Sequence, residues 1–353
     1  MPQARPHEAP SRTTTTVKRT AAAIGAGALA APLGWMAYSS WGVSHAVPLP
    51  PALDAERRVF RSPGAGRLSY YASDRGSGRP VVLLHGVNAA ASAAEVRPIF
   101  TALAGRRPVY ALDLPGFGFS ERADRAYSPA LFARAIADFL SIELGEDQAC
   151  DLVALSLSSE FAARVAVERP GLVHSIALVS PTGFEDGTRA ESAARGGEAI
   201  LRAMAIGPWA QPVFDLLASR PGIARQLGRS FAGPVDDALA EYAWRTAHQP
   251  GARHAPLCFL GGALFTPGAR AELYDRVRQP VLVLYDTDPH VSFEALADTV
   301  ARRRNWRALR IAGTRGLPQF DRPAETMRAL DVFWMTQHDP SAPYRRAGMA
   351  TGD

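Results

Sequence analysis

The residues best placed to do chemistry lie in one stretch, Cys150 to Arg164, which reads Cys-Asp-Leu-Val-Ala-Leu-Ser-Leu-Ser-Ser-Glu-Phe-Ala-Ala-Arg. An apolar run of strand length leads straight into Ser156, and a helical pattern begins within two or three residues. A sharp turn from strand to helix holds a serine in a strained backbone conformation with its Oγ exposed, as a nucleophile requires. Such turns usually carry glycine two residues before and two after the serine, because anything larger crowds the bend. Here those places hold Ala154 and Ser158. Both are small, so the turn can still be built, with more strain.

The elements that must position this serine follow from hydrophobic patterning. Val81–Leu84 ends at His85-Gly86, 108–112 ends at Asp113, 151–155 ends at Ser156, 175–179 ends at Ser180, and 281–285 ends at Asp286. Each is a near-continuous apolar run of strand length, as expected for a sheet covered on both faces. Between the runs lie helical stretches. Ser128-Pro129 pairs an N-cap with proline at the first helical position, opening a helix predicted over 130–144 that stops at Gly145. A second helix is predicted over 161–168, ending before Pro170-Gly171. Strand and helix in alternation predict an α/β fold with a mostly parallel, doubly wound sheet. Ligands of such sheets bind at the carboxyl ends of the strands, where these polar residues fall.

Residues 184–275 break the rhythm with short apolar helices, many Gly and Pro, and no clear buried strand. They read as a helical cap inserted over the strand ends. Trp209, Phe214, Leu216, Leu217, Trp244, Phe259 and Phe265 are the candidates for its apolar underside, or for the cap's own core. The domain plan is therefore a core over 59–183, the cap, and a second part of the core over 276–338, followed by a disordered tail over 339–353.

In this order the motifs resemble the α/β-hydrolase superfamily, in its single-domain esterase, lipase and epoxide-hydrolase-like group. His85-Gly86 is similar to the family's oxyanion loop. Asp113-Leu114-Pro115-Gly116-Phe117-Gly118-Phe119-Ser120 is similar to its Asp-x-Pro-Gly-x-Gly-x-Ser turn. The resemblance runs over roughly 60–337 and is looser in the cap. It implies Ser156 as nucleophile and the backbone N–H groups of Val87 and Leu157 as an oxyanion hole, two donors for charge developing on a carbonyl oxygen. It also implies a catalytic acid after the strand at 280–285, with Asp288 fitting best and Asp286 second. Both also suit ordinary turn chemistry after a strand.

The resemblance implies a histidine base in a loop that here reads Gly313-Thr314-Arg315-Gly316-Leu317-Pro318, and the histidine's place holds Gly316. Arg315 cannot substitute, because a guanidinium keeps its proton in proteins. The candidate displaced bases are His290, beside Asp288, and His248 and His254 in the cap. The expected role of His85 is to shape the oxyanion loop. Without imidazole a serine hydroxyl is a poor nucleophile.

Ahead of the core, residues 1–20 are rich in Pro, Thr and Arg and read as disordered. Residues 21–43 carry no charge and span about 34 Å as a helix, against a hydrocarbon core of about 30 Å. Arg12, Lys18 and Arg19 precede the segment, and Trp35, Tyr38 and Trp41 gather at its far end. This arrangement predicts a membrane anchor with the folded domain outside the cytoplasm. The alternatives are a signal peptide cleaved near Ser44-His45-Ala46, giving a secreted domain, or an Ala-rich helix packed on the protein. Residues 44–58, with Pro48, Pro50 and Pro51, read as a stiff linker.

Composition narrows the remaining classes. The net charge is +5 over 353 residues. The arginines are scattered, as in Arg122, Arg164 and Arg276, and this pattern speaks against nucleic acid. The run Arg302-Arg303-Arg304 reads as a solvated helix end. Cys150 and Cys258 have no metal-like spacing, and Cys150 reads as a buried small apolar residue, with a disulfide between them left open. No metal constellation, phosphate loop or dinucleotide fingerprint is present, so no cofactor is implied. Two functional readings remain: a serine hydrolase of small apolar acyl compounds with a displaced base and weak activity, or a non-catalytic binding protein on the same fold.

Overall fold

The computed structural model describes residues 33–185 and 207–338. The segments expected to be disordered, 1–20 and 339–353, lie outside these residues, as does much of the expected span and part of the cap. Residues 1–44 form one unit and residues 45–353 another. In the first, a helix covers residues 33–41, and the Trp35 and Tyr38 rings lie 5.7 Å apart. Trp41 is 88% exposed on it, beside exposed Leu33 and Tyr38. Among the described residues no helix is long and apolar enough to cross a membrane.

The second unit is built on an eight-stranded sheet in the order β1-β2-β4-β3-β5-β6-β7-β8. The strands are β1 (Glu56–Ser62), β2 (Gly66–Ser73), β3 (Val81–Leu84), β4 (Val109–Asp113), β5 (Cys150–Leu155), β6 (Val173–Val179), β7 (Val281–Thr287) and β8 (Trp306–Arg315). β1 and β2 are antiparallel, and every strand from β4 to β8 along the sheet runs parallel to its neighbours. The predicted doubly wound sheet is present. Side chains alternate across a strand, so a sheet covered twice needs apolar residues at every position. In β5, Leu152 and Ala154 enter the core on one face while Val153 and Leu155 enter the other.

The first face is covered by α2 (Pro129–Phe139) and α3 (Ser158–Glu168), through Phe132, Phe139 and Phe161. The second is covered by α1 (Arg97–Leu103) and α11 (Pro323–His338), through Phe100, Leu103, Leu330 and Phe333. Ser128 caps α2, its side chain accepting from Leu131 N. The predicted helix over 130–144 changes to a wider π turn at Leu140–Leu144 and stops at Gly145, φ 102°. Cys150 and Cys258 are both free thiols.

Between β6 and β7 the described cap residues form α4 (Ala210–Leu217), α5 (Arg220–Ser230), α6 (Asp237–Ala247), α7 (His254–Leu260) and α8 (Ala269–Glu272). Phe214, Ile223, Ala243 and Leu257 form a small core of their own that reaches Ala89 and Ala90 of the loop after β3.

Two segments differ from expectation. The stretch read as a stiff linker is fastened to the cap. His45 Nε2 lies 2.9 Å from Asp215 Oδ1, Gln249 Nε2 donates to Val47 O at 2.6 Å, and Arg245 donates to Pro48 O at 3.1 Å. Proline removes a donor but leaves carbonyls to be satisfied, and cap side chains satisfy them. In the arginine run, Arg303 is not a solvated charge. It donates to the carbonyls of Asp275 and Val277, joining the end of α9 (Leu296–Arg302) to the approach to β7.

Candidate active site

β5 delivers Ser156 from the middle of the sheet, where β3 and β6 hold it on either side. Ser156 N donates to Val179 O of β6 at 2.8 Å, and Ser156 adopts φ 54°. That left-handed conformation is costly for any residue with a Cβ. α3 begins two residues later, so the predicted elbow is formed. Ala154 and Ser158 are fully buried in the two crowded places. Ser158 also does something glycine could not. Its Oγ donates to His85 O at 2.5 Å and ties the helix start to the loop after β3.

That loop is braced from several sides. His85 is buried, and Leu114 N donates to its Nε2 at 3.0 Å, leaving Nδ1 to carry the proton toward Gly86 O at 2.6 Å. Burial holds its pKa down to about 4, so the ring stays neutral and serves as a strut. Asp113 accepts from Ala93 N and Phe119 N, and burial pushes its carboxyl up to about 6. A Cβ at Gly118, φ 52°, would lie 2.0 Å from the Asp113 carboxyl carbon, so only glycine lets the turn close.

Glu95 is the residue that sequence reasoning missed. It is buried, accepts from Gly86 N at 2.8 Å and Asn88 Nδ2 at 2.6 Å, and burial pushes its carboxyl up to about 7. The signal was an acid inside the otherwise apolar run Ala93-Ala94-Glu95-Val96. Its two bonds flank Val87. Val87 and Leu157 line the same cavity as Ser156, and among the described residues neither N–H donates to a backbone acceptor. Two unengaged N–H groups beside a serine can stabilise an oxyanion.

The opposite wall comes from the loops after β7 and β8. Asp288, His290, Val291, Gly316 and Leu317 line the cavity with Ser156. Asp288 Oδ1 accepts from His290 N at 2.7 Å. Burial raises the Asp288 carboxyl above the usual range, against the pull of that bond and of His290. Burial lowers the His290 imidazole, with Asp288 opposing and Arg229 reinforcing. Asp286 does not line the cavity. Burial alone would raise its pKa, but a 2.5 Å bond from Arg310 and bonds from Gly313 N and Thr314 N outweigh this and hold it low. It fastens the end of β8, so that of the two candidate acids Asp288 is the one that reaches the cavity.

Gly316 has φ 84°, and a Cβ there would lie 2.9 Å from Asp288 Oδ2. The loop that should bring a base therefore touches Asp288 but brings no side chain. Among the described residues no imidazole is hydrogen-bonded to Ser156 Oγ. The two cap histidines do not hang over the cavity. His248 Nδ1 faces Trp244 O at 2.7 Å, and His254 faces Asp124 at 3.3 Å.

The cavity measures about 740 Å³, and Leu216, Leu217, Phe259 and Phe265 form its apolar cap side as expected. The other aromatic candidates serve elsewhere. Phe214 is fully buried in the cap core, Trp244 lies under Arg220 at 4.1 Å, and Trp209 is partly exposed at the start of α4.

Comparison with known proteins agrees with this geometry. The sequence model of the alpha/beta hydrolase family matches residues 81–330. A 2-hydroxymuconate semialdehyde hydrolase of Pseudomonas sp. strain CF600 is 34% identical over 115 residues, covering 31% of this chain and 39% of that protein. A dihydrolipoyllysine-residue acetyltransferase component of an acetoin cleaving system, from Cupriavidus necator, is 33% identical over 48% of this chain and 40% of its own length. The chain thus matches about two fifths of the length of these relatives. Among solved structures, a serine hydrolase involved in carbazole degradation superposes with a TM-score of 0.63 at 20% identity, covering 79% of this chain and 98% of that one. A bacterial membrane phospholipase A superposes with a TM-score of 0.63 at 19% identity, covering 93% of this chain and 100% of that one.

Proposed function

The chain belongs to the alpha/beta hydrolase family, and from that membership we propose that it is a slow serine hydrolase of acyl esters, with Ser156 as nucleophile and a rearranged base. The observation that carries the reading is Ser156 itself. Its left-handed φ of 54° costs free energy, and it presents the hydroxyl to a cavity flanked by the Val87 and Leu157 N–H groups. A chain with no use for the hydroxyl has no reason to keep that strain.

In this reading an ester carbonyl oxygen points at the two N–H groups. Ser156 Oγ attacks the carbonyl carbon while the base takes its proton. The alcohol then leaves with that proton, and water hydrolyses the acyl-serine, releasing the acid. Asp288 is the acid of the site and His290 its base. The pKa of the His290 imidazole is lowered, which favours the neutral form that a general base needs. The missing side chain at Gly316 makes the proton transfer inefficient, hence a low turnover number. The uncharged segment 21–43 and the exposed Trp41, Tyr38 and Leu33 support a membrane-associated N-terminus with the catalytic domain outside the cytoplasm.

One observation favours the alternative of a binding protein on this fold, namely that no imidazole is bonded to Ser156 Oγ. Fluorophosphonate labelling and 4-nitrophenyl butyrate turnover, measured on the full chain and on Ser156→Ala, separate the two. Labelling and turnover that disappear in the variant support hydrolysis. Equal background signals in both proteins sink it and leave the binding role.

A further inference from the structure

The acids and bases lining the cavity are not equivalent. The three carboxylates all lie outside the cap helices and all accept backbone hydrogen bonds. Glu95 takes Gly86 N, Asp288 takes His290 N, and Glu185 takes Gly183 N at 3.0 Å. Burial raises the pKa of each, that of Glu95 to about 7. The two arginines, Arg225 and Arg229, come from the cap helix α5, which contains no acidic residue. Neither makes an ion pair or hydrogen bond among the described residues, whereas Arg220 on the same helix is bound by Glu241 at 2.6 Å.

Their spacing of four places both on one face of the helix, about one turn apart. The next residue, Ser230, lies over Gly316, with its Cβ 3.7 Å from where a Gly316 side chain would begin. Arg229 is near enough to His290 to depress its pKa. The cationic face therefore begins beside the acid loop and runs away from it along the cavity, while Leu216, Leu217, Phe259 and Phe265 supply apolar wall.

Taking the serine-hydrolase reading as its basis, we infer that Arg225 and Arg229 form a subsite for an anionic group, so that the substrate is an amphiphilic ester with an apolar body and an anionic end. The shared chemistry is a carboxylate or a phosphodiester oxygen pair, which two guanidinium groups one turn apart can grip together. Opposite charge at the cavity mouth also steers such a molecule in.

The test measures binding separately from turnover, so that failure of the subsite and failure of the hydrolase reading can be told apart. The full chain is titrated calorimetrically with 4-nitrophenylglutaramic acid, an anilide that resists cleavage, and with its neutral primary amide, which carries no ester. The expected result is about tenfold tighter binding of the acid, weakened by 0.5 M salt as exposed charges require. Arg225→Gln/Arg229→Gln brings the ratio to about one, and Arg225→Lys/Arg229→Lys keeps most of it. A second arm compares short-chain phosphatidylglycerol with phosphatidylcholine, and a preference confined to this arm assigns the subsite to a phosphodiester. Equal affinity for charged and neutral members of both pairs overturns the subsite, as does a preference that survives the double glutamine variant. Ester turnover without any charge preference removes the subsite while leaving the hydrolase reading intact. Charge-selective binding without turnover keeps the subsite and removes that reading.

Discussion

The two walls of the cavity are built to different standards. On the elbow side every group is pinned. Ser156 is held by β6, Ser158 by the His85 carbonyl, and Gly86 and Asn88 by the buried Glu95. On the acid side, Asp288 is held by its own turn, no hydrogen bond holds the His290 ring among the described residues, and Gly316 offers no side chain. The elbow sits at the centre of a sheet packed on both faces, whereas the acid loop leaves β7 and the base loop leaves the edge strand β8. Central strands leave a loop few alternatives.

The largest effect expected from breaking this contrast is on the weak wall. His290→Gln lowers ester turnover about a hundredfold, in the range of a lost general base. Unchanged turnover would remove His290 from the mechanism. Because burial lowers its pKa, the acid limb of the turnover profile lies below 6.5, the ordinary imidazole value. A limb at or above that value would place the titration elsewhere.

Next come substitutions that test how firmly each wall is set. Gly316→Ala puts a Cβ into a left-handed position and 2.9 Å from Asp288 Oδ2. It should destabilise the fold by about 1–2 kcal/mol, read from urea midpoints. A neutral result would mean that the loop relaxes freely and can be given a histidine. Ser158→Ala removes a buried hydrogen bond and leaves the His85 carbonyl without that donor. A loss of about 1 kcal/mol is expected by the same measurement.

The smallest effect is on stability against pH. Burial raises Glu95 and Glu160 to about 7 from the ordinary carboxyl value of 4.5, so the folded state binds protons that the unfolded chain has already lost. Stability from these groups is greatest in acid and is lost as pH rises through 7. His85, held at about 4, acts in the opposite direction, but only below 6.5. The melting temperature should therefore fall modestly between pH 6.5 and 8. A rise over that interval would contradict the burial of both carboxyls.

Much of this was legible in the chain. Five central strands, the elbow and the capped helix at Ser128 were readable because a doubly covered sheet demands unbroken apolar runs and because turns draw on a few residue types. The edge strands β1 and β8 were not, since strands such as Trp306–Arg315 carry charge on their open sides. Glu95 left only one trace, an acid in an apolar run, because its role depends on Gly86 N and Asn88, which reach it only in the fold. The cap roof was half readable. Leu216, Leu217, Phe259 and Phe265 reach the cavity, but Phe214 and Trp244 look the same in sequence and face elsewhere.

By itself, then, the sequence determined the layered α/β fold, the placement of Ser156 at a strand end, and the absence of a side chain at Gly316. These depend on residues adjacent in the chain, whose sterics and periodicity act locally. Only the tertiary structure decided that Asp288 rather than Asp286 reaches the cavity, that His248 and His254 turn away from it, and that Arg225 and Arg229 line it. Those choices depend on which loops meet across the sheet, and contacts between distant segments leave no pattern in either segment alone.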